Sequence, residues 1–259
     1  MAPLFSIITV TYNASASLPA TMQSVAEQTC RLFEHIVQDG ASSDSTVNIA
    51  KENALPQTRI YSSPDTGIYD AMNKALAEAK GDYVIFLNAG DCFHTKDTLQ
   101  KIADTIMDND YPGIVYGQTD IVDADGRRIA ERHLRAPETL TLDSFAEGMV
   151  VCHQAFVALR RITSMYSLKY RFSADYEWCI RCLQHSHRNT YMPHVIIDYL
   201  NEGATTANRR KSLLERFRIM CHYYGIAPTV RRHFGFIIRF MRRRSLERKL
   251  TSATNHRSR

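Results

Sequence analysis

The sequence predicts an α/β protein, a mostly parallel sheet flanked by helices, continued by a basic helical extension at the C-terminus. Short β-branched or apolar runs alternate with helical patterns of about ten to fourteen residues, the rhythm of βαβ units. Tyr83-Val84-Ile85-Phe86-Leu87 is apolar throughout, as a strand covered on both faces must be. Polar loops recur where these strands end: Tyr12-Asn13, Asp39-Gly40, Asp65-Thr66-Gly67 and Asn88-Ala89-Gly90-Asp91. In a parallel sheet such ends share one edge, where open α/β sheets bind ligands.

The elements follow in order. Phe5–Thr11 reads as a first strand and Leu18–Gln28 as a helix. His35–Asp39 is a second strand, turned by Gly40, and Asp44–Asn53 a helix that Ser43 or Asp44 can cap. Arg59–Ser62 is a short third strand, and Ile68–Ala79 a helix rich in Ala, Met and Lys. After the strand Tyr83–Leu87 the pattern predicts a helix over Thr95–Met107, a strand over Gly113–Tyr116, and a hairpin over Asp120–Ile129 turning at Asp125-Gly126. Val150–Leu159 is the next strand candidate, and Asp175–His185 a helix with Ser173 as its N-cap. Thr190–Tyr199 is a last strand, broken by Pro193, before helical patterns at Ser212–Tyr224 and Thr229–Leu250.

Composition narrows the classes. The chain has 259 residues, 44% of them hydrophobic and 23% charged, which supports a sizeable core and excludes global disorder. Six scattered cysteines form no disulfide framework, and Cys179-x-x-Cys182 lies inside an amphipathic helix pattern with no second pair for a zinc site. No signal peptide is visible before Phe5 and no apolar run approaches the ~18 residues of a membrane span, so a cytoplasmic protein with at most peripheral membrane contact is expected. Residues 209–259 carry 15 Lys/Arg against 2 Glu, a balance of +13, while residues 1–208 carry 17 basic and 25 acidic side chains, a balance of −8. An acidic body with a basic tail results. The tail from Arg231 to Arg244 mixes aromatic, aliphatic and cationic residues and suits an anionic membrane face. No nucleic-acid-binding motif is present. No G-x-G-x-x-G follows the first strand and no G-x-x-x-x-G-K-[ST] exists, which argues against dinucleotide oxidoreductases and P-loop NTPases.

Four ordered blocks in the first hundred residues carry a resemblance. They are Ile8-Thr9-Val10-Thr11-Tyr12-Asn13; Val37-Gln38-Asp39-Gly40-Ala41-Ser42-Ser43-Asp44; Ser63-Pro64-Asp65-Thr66-Gly67-Ile68-Tyr69-Asp70-Ala71-Met72-Asn73-Lys74; and Gly81-Asp82-Tyr83 through Asp91. Together they resemble family 2 glycosyltransferases of the GT-A (Rossmann-like) fold, nearest to bacterial enzymes of exopolysaccharide, capsule or O-antigen synthesis. The resemblance implies a domain over 1–208, with a nucleotide-sugar-binding half (1–110) and an acceptor half (111–208), and the basic extension over 209–259. It implies that Val10, Thr11 and Tyr12 lie near the nucleobase, that Asp39 hydrogen-bonds it, and that Asp65 and Asn73 line the donor pocket. Asp91 would take a divalent cation (Mn²⁺ or Mg²⁺) bridging the diphosphate. The usual Asp-x-Asp is altered here to Asn88-Ala89-Gly90-Asp91, so one carboxylate carries the charge and Asn88 can offer only its amide oxygen.

In the second half, Ser173-Ala174-Asp175 resembles the family's acidic acceptor-side motif with its first acid replaced, which implies Asp175 as the base. His153-Gln154 resembles a pair that contacts diphosphate or acceptor. The implied reaction is inverting transfer of a hexosyl or related sugar from a UDP- or GDP-sugar to a polyprenyl-diphosphate-linked glycan acceptor. A non-catalytic sugar-nucleotide-binding or scaffold protein on the same fold is the alternative, since the metal loop is thin. A nucleotidyltransferase would want a basic, Gly-rich loop after the first strand, and Asn13–Leu18 has no Lys or Arg.

Overall fold

The computed structural model describes residues 2–201 and 209–235. Contact density divides the chain into two compact units, 1–212 and 213–259. In the first, β1 (Phe5–Thr11), β2 (Phe33–Asp39), β3 (Thr58–Ser62) and β4 (Tyr83–Phe86) pair in parallel, in the order β3-β2-β1-β4. β1, β2 and β4 are buried at every position, because helices cover both faces. On α1 (Leu18–Ala26), Leu18, Met22 and Val25 recur at helical spacing and are all buried. On α3 (Ile68–Glu78), Ala71 and Ala75 let the helix approach β1 and β2 closely, while Tyr69, Met72 and Leu76 complete the buried face. The short α2 (Thr46–Glu52) starts two residues later than expected; its N-cap residue is Ser45, which makes no side-chain cap, while Asp44 accepts the Thr46 amide at 3.0 Å just before it.

The second half of the sheet is mixed. β8 (Phe156–Leu159) runs antiparallel to β4, and β6 (Ile114–Val122) antiparallel to β8. β9 (Asn189–Leu200) then runs parallel to β6, and the two-residue β5 (Cys92–Phe93) closes the order antiparallel to β9. β7 (Arg128–Glu131) pairs β6 as the arm of the expected hairpin. The two proposed halves therefore interleave: β5, from the first, lies at the far edge of the sheet beside the last strand.

Several expectations are corrected. The strand expected over Val150–Leu159 begins only at Phe156, because residues 153–155 form a 3-10 turn. Pro193 does not break β9; the register shifts against β6 around Gly117 absorb it. The helix expected from Thr95 is α4 (Thr98–Asp108). Ser173 precedes α5 (Ala174–His185) but makes no cap; its hydroxyl pairs with Ser212 at 3.0 Å. Cys179 and Cys182 are free, buried thiols of α5.

An aromatic core sits between α5 and the sheet. Trp178 is fully buried, stacks on Tyr166 at 5.2 Å and donates its indole N–H to the Ser164 carbonyl at 2.7 Å. Phe86 meets His153, Tyr166 and Trp178 within 5.6 Å, so the end of β4 is pinned to the loop that precedes α5.

The second unit takes in most of α6 (Arg209–Tyr224), and residues 226–235 form a further helical stretch after Gly225. His233 packs edge-on against Phe217 at 4.9 Å. Ile226, Val230 and Phe234 recur at helical spacing and are exposed. The expected helix over Thr229–Leu250 lies outside the described residues beyond 235. No described helix is long and apolar enough to cross a membrane.

Candidate active site

The carboxyl ends of β1 and β4 open into a cleft of about 970 Å³ in the first unit. Val10, Thr11 and Tyr12 line it, with Tyr12 67% exposed at its mouth. Asp65 lines it too, held by the Gly67 amide at 2.9 Å, with its second oxygen against Gly40, where any Cβ would collide with that carboxylate. Gly40 is thus what lets the two loops meet.

Two residues predicted for this pocket lie elsewhere. Asp39 is 1% exposed and does not reach the cleft wall. It accepts from Thr11 Oγ1 (3.0 Å), Ser42 N (2.9 Å), Ser42 Oγ (2.5 Å) and Ser62 Oγ (2.7 Å). Four donors fill the roughly four acceptor sites of a carboxylate. Burial alone would push this carboxyl up, but the bonds from Ser42, Ser62 and Thr11 outweigh it and hold it below its ordinary range. Asp39 here ties three strand-end loops together. Asn73 is also absent from the wall. Its amide donates to the Tyr166 carbonyl at 3.0 Å and accepts the Tyr166 amide at 2.6 Å, bracing α3 to the segment before α5.

The loop Asn88–Asp91 does lie on the cleft. Gly90 takes φ +102°, and a Cβ there would sit 2.6 Å from Leu200 Cδ2, so the loop presses on the end of β9. Asp91 is 4% exposed; Oδ1 accepts the Leu200 amide (3.0 Å) and Oδ2 the Gln154 side-chain amide (2.8 Å). Burial pushes its carboxyl up to about 7, against the two hydrogen bonds that favour the anion. Asn88 Oδ1 is buried without a hydrogen-bond partner. An orphaned hard oxygen and a desolvated carboxylate three residues apart, both on the cleft wall, make a donor set suited to Mg²⁺ or Mn²⁺, which take one or two carboxylates and complete their shell with substrate phosphate. No group of three or more His, Cys, Asp or Glu gathers for a metal among the described residues.

On the other wall, Asp175 stands in the first turn of α5, half-buried, and accepts from Tyr69 Oη at 3.0 Å. His153 reaches the wall, but its Nε2 pairs with Tyr166 Oη at 2.7 Å and its ring stacks on Phe86 at 5.0 Å. Burial lowers it to about 4, opposed by the Asp175 charge, so it is neutral. Sequence reasoning passed over Tyr69 and Arg132. The Arg132 guanidinium lines the cleft and is held by the carbonyls of Leu134 (2.9 Å) and Met149 (2.7 Å), with no carboxylate partner among the described residues.

The sequence profile of "Glycosyl transferase family 2" matches residues 6–164. The chain belongs to that family. The PGL/p-HBAD biosynthesis glycosyltransferase of Mycobacterium bovis is 34% identical over 213 residues, 80% of each chain. The putative teichuronic acid biosynthesis glycosyltransferase TuaG of Bacillus subtilis is 32% identical over 152 residues, covering 58% of this chain and 59% of TuaG. The structure resembles S. aureus TarS 1–349 with TM-score 0.68 at 20% identity, over 90% of this chain and 72% of that one. It also resembles the mannosyltransferase PcManGT from Pyrobaculum calidifontis, solved with GDP-Man and Mn²⁺, with TM-score 0.57 at 17% identity over 90% and 74%. This family 2 glycosyltransferase therefore has the GT-A fold, its mixed sheet flanked by helices.

Proposed function

We propose that this glycosyltransferase moves a sugar, with inversion, from a nucleoside-diphosphate sugar to a hydroxyl of a lipid-linked glycan acceptor in cell-surface glycan synthesis. The observation that carries the reading is one cleft with Asp91 and the orphaned Asn88 carbonyl on one wall and Asp175, at a helix N-terminus, on another. Asp175 receives the acceptor hydroxyl's proton as that oxygen forms its bond to the anomeric carbon and the nucleoside diphosphate leaves from the opposite face. Asp91 and Asn88 would hold the divalent cation, which supplies positive charge to the departing diphosphate. Arg132, which has no carboxylate partner among the described residues, adds a cation to the cleft. Tyr12, Val10 and Thr11 border the nucleoside, and Asp65 closes that end.

The solved relatives bind UDP, UDP-GlcNAc or GDP-Man, which supports the donor class. The named relatives in PGL/p-HBAD and teichuronic acid biosynthesis support a surface-glycan product. The exposed Ile226–Val230–Phe234 face, within a basic tail, supports peripheral contact with an anionic membrane where a lipid-linked acceptor resides.

The test is release of nucleoside diphosphate from UDP- and GDP-sugars with Mn²⁺. Loss of release in both Asp91→Ala and Asp175→Ala supports catalysis, whereas release that persists in either variant refutes its assigned role. NMR of the product anomer checks inversion. Flotation with anionic vesicles should weaken in Phe234→Asp.

A further inference from the structure

We propose that Tyr69 is a positioning residue for Asp175, and that α3 carries it as a brace between the donor loop and the base. The inference rests on the reading of Asp175 as the base. Tyr69 Oη donates to Asp175 Oδ1 at 3.0 Å across 106 positions of sequence. One oxygen of the carboxylate is thereby fixed, and the other is left to face an acceptor hydroxyl.

The tyrosine is itself held. It is 9% exposed, and its ring stacks on Tyr166 at 5.6 Å with an interplanar angle of 25°. One turn along α3, Asn73 grips both backbone groups of Tyr166. The two side chains share a helix face, as i and i+4 must. Tyr166 is anchored from a third direction by His153. The donor-side loop Pro64–Gly67 leads directly into this helix, where the Thr66 amide donates to Asp70 at 2.9 Å. A displacement of that loop by a bound donor would be carried through a rigid helix to the oxygen that orients Asp175.

A carboxylate already held in place needs no reorientation when it takes the acceptor's proton, so the bond serves turnover rather than nucleotide binding. Around Asp175 stand His153, Tyr166 and Tyr199 from other segments, Cys179 one turn along α5, and the Arg171 guanidinium on the cleft wall. Glu177, also on α5, is paired with Arg181 at 2.9 Å. Burial keeps His153 neutral and the two phenols and the thiol protonated, so none changes charge between about pH 6 and 9.

The experiment compares Tyr69→Phe with wild type and with Asp175→Asn in steady-state transfer from pH 5 to 9, beside calorimetric titration with UDP and GDP. Tyr69→Phe keeps the ring, and thermal melts check that the fold survives. The expected result is a roughly tenfold fall in kcat with nucleotide affinity within twofold of wild type. A wild-type kcat would overturn the proposal, as would a loss confined to nucleotide affinity. Asp175→Asn separates the two levels. If that variant transfers sugar at wild-type rate, the base assignment itself fails. If it is inactive while Tyr69→Phe behaves as wild type, only the positioning role fails.

Discussion

Asn73→Ala should damage the fold and spare the nucleotide site. The family resemblance implies a wall of the donor pocket, whereas the structure uses both ends of the amide on the backbone of Tyr166. Each bond, at 2.6 and 3.0 Å, contributes about 1 kcal/mol net. Tyr166 is 2% exposed, so its freed amide and carbonyl have no water to turn to, and each unsatisfied group costs about 1–3 kcal/mol. Truncation should therefore cost about 3 kcal/mol. For a unit of this size that lowers Tm by roughly 6–12 °C. Asn73→Asp should not rescue it, because a carboxylate oxygen would face the Tyr166 carbonyl in place of the N–H₂ donor. The assay is urea denaturation of each variant beside calorimetric titration with UDP and GDP at a temperature where all are folded. A wild-type melting curve combined with a tenfold loss of nucleotide affinity would refute the reasoning and restore Asn73 to the pocket.

Three further outcomes are expected. Asn88→Asp should bind Mn²⁺ about tenfold more tightly in the presence of UDP but melt lower without metal, since a second buried carboxylate would stand near Asp91; electron paramagnetic titration and thermal melts read the two effects. Arg132→Gln should weaken UDP about tenfold while leaving uridine affinity unchanged if, as proposed, the guanidinium meets phosphate and not base; titration calorimetry with both ligands checks it. Glu34 is pushed up by burial, but hydrogen bonds from Ser6, the Lys80 amide and Arg59 outweigh that and lower it on balance. Its folded pKa lies below the unfolded one, so its contribution is present above about pH 4.5 and is lost as pH falls through the folded value. Acid unfolding of Glu34→Gln should therefore be flatter than wild type below about pH 4.5, in urea titrations read by circular dichroism.

What the sequence reveals follows the range of the interactions. β1, β2 and β4 are legible because burial on both faces demands unbroken apolar runs. Asp91 and Asp175 are legible as acids at a strand end and a helix start, and both line the cleft. β5 is two residues long and exists through its pairing with β9, so no local pattern marks it. Asp39 and Asn73 stand in blocks that resemble a binding motif, yet the structure engages each with its own backbone and hydroxyl neighbours. Gln154 was visible as half of a polar pair, but its aim at Asp91, 63 positions earlier, was not. Tyr69 reads as an ordinary buried aromatic on α3 because its partner is 106 residues away.

The closing of Asp91 against Leu200 sets a timetable for synthesis. The carboxylate emerges from the ribosome 109 residues before the amide that holds it. At about 5–20 residues per second, the wait is roughly 5–22 seconds. Through that interval the parallel strands β1 to β4 can already pair, but the cleft gains Gln154, then Asp175, and last Leu200. A nascent chain can thus hold a formed half-sheet and still be unable to engage donor. Ribosome-bound chains arrested before and after Leu200 should differ sharply in nucleotide retention, so competence to bind sugar nucleotide becomes a late event in the birth of the protein.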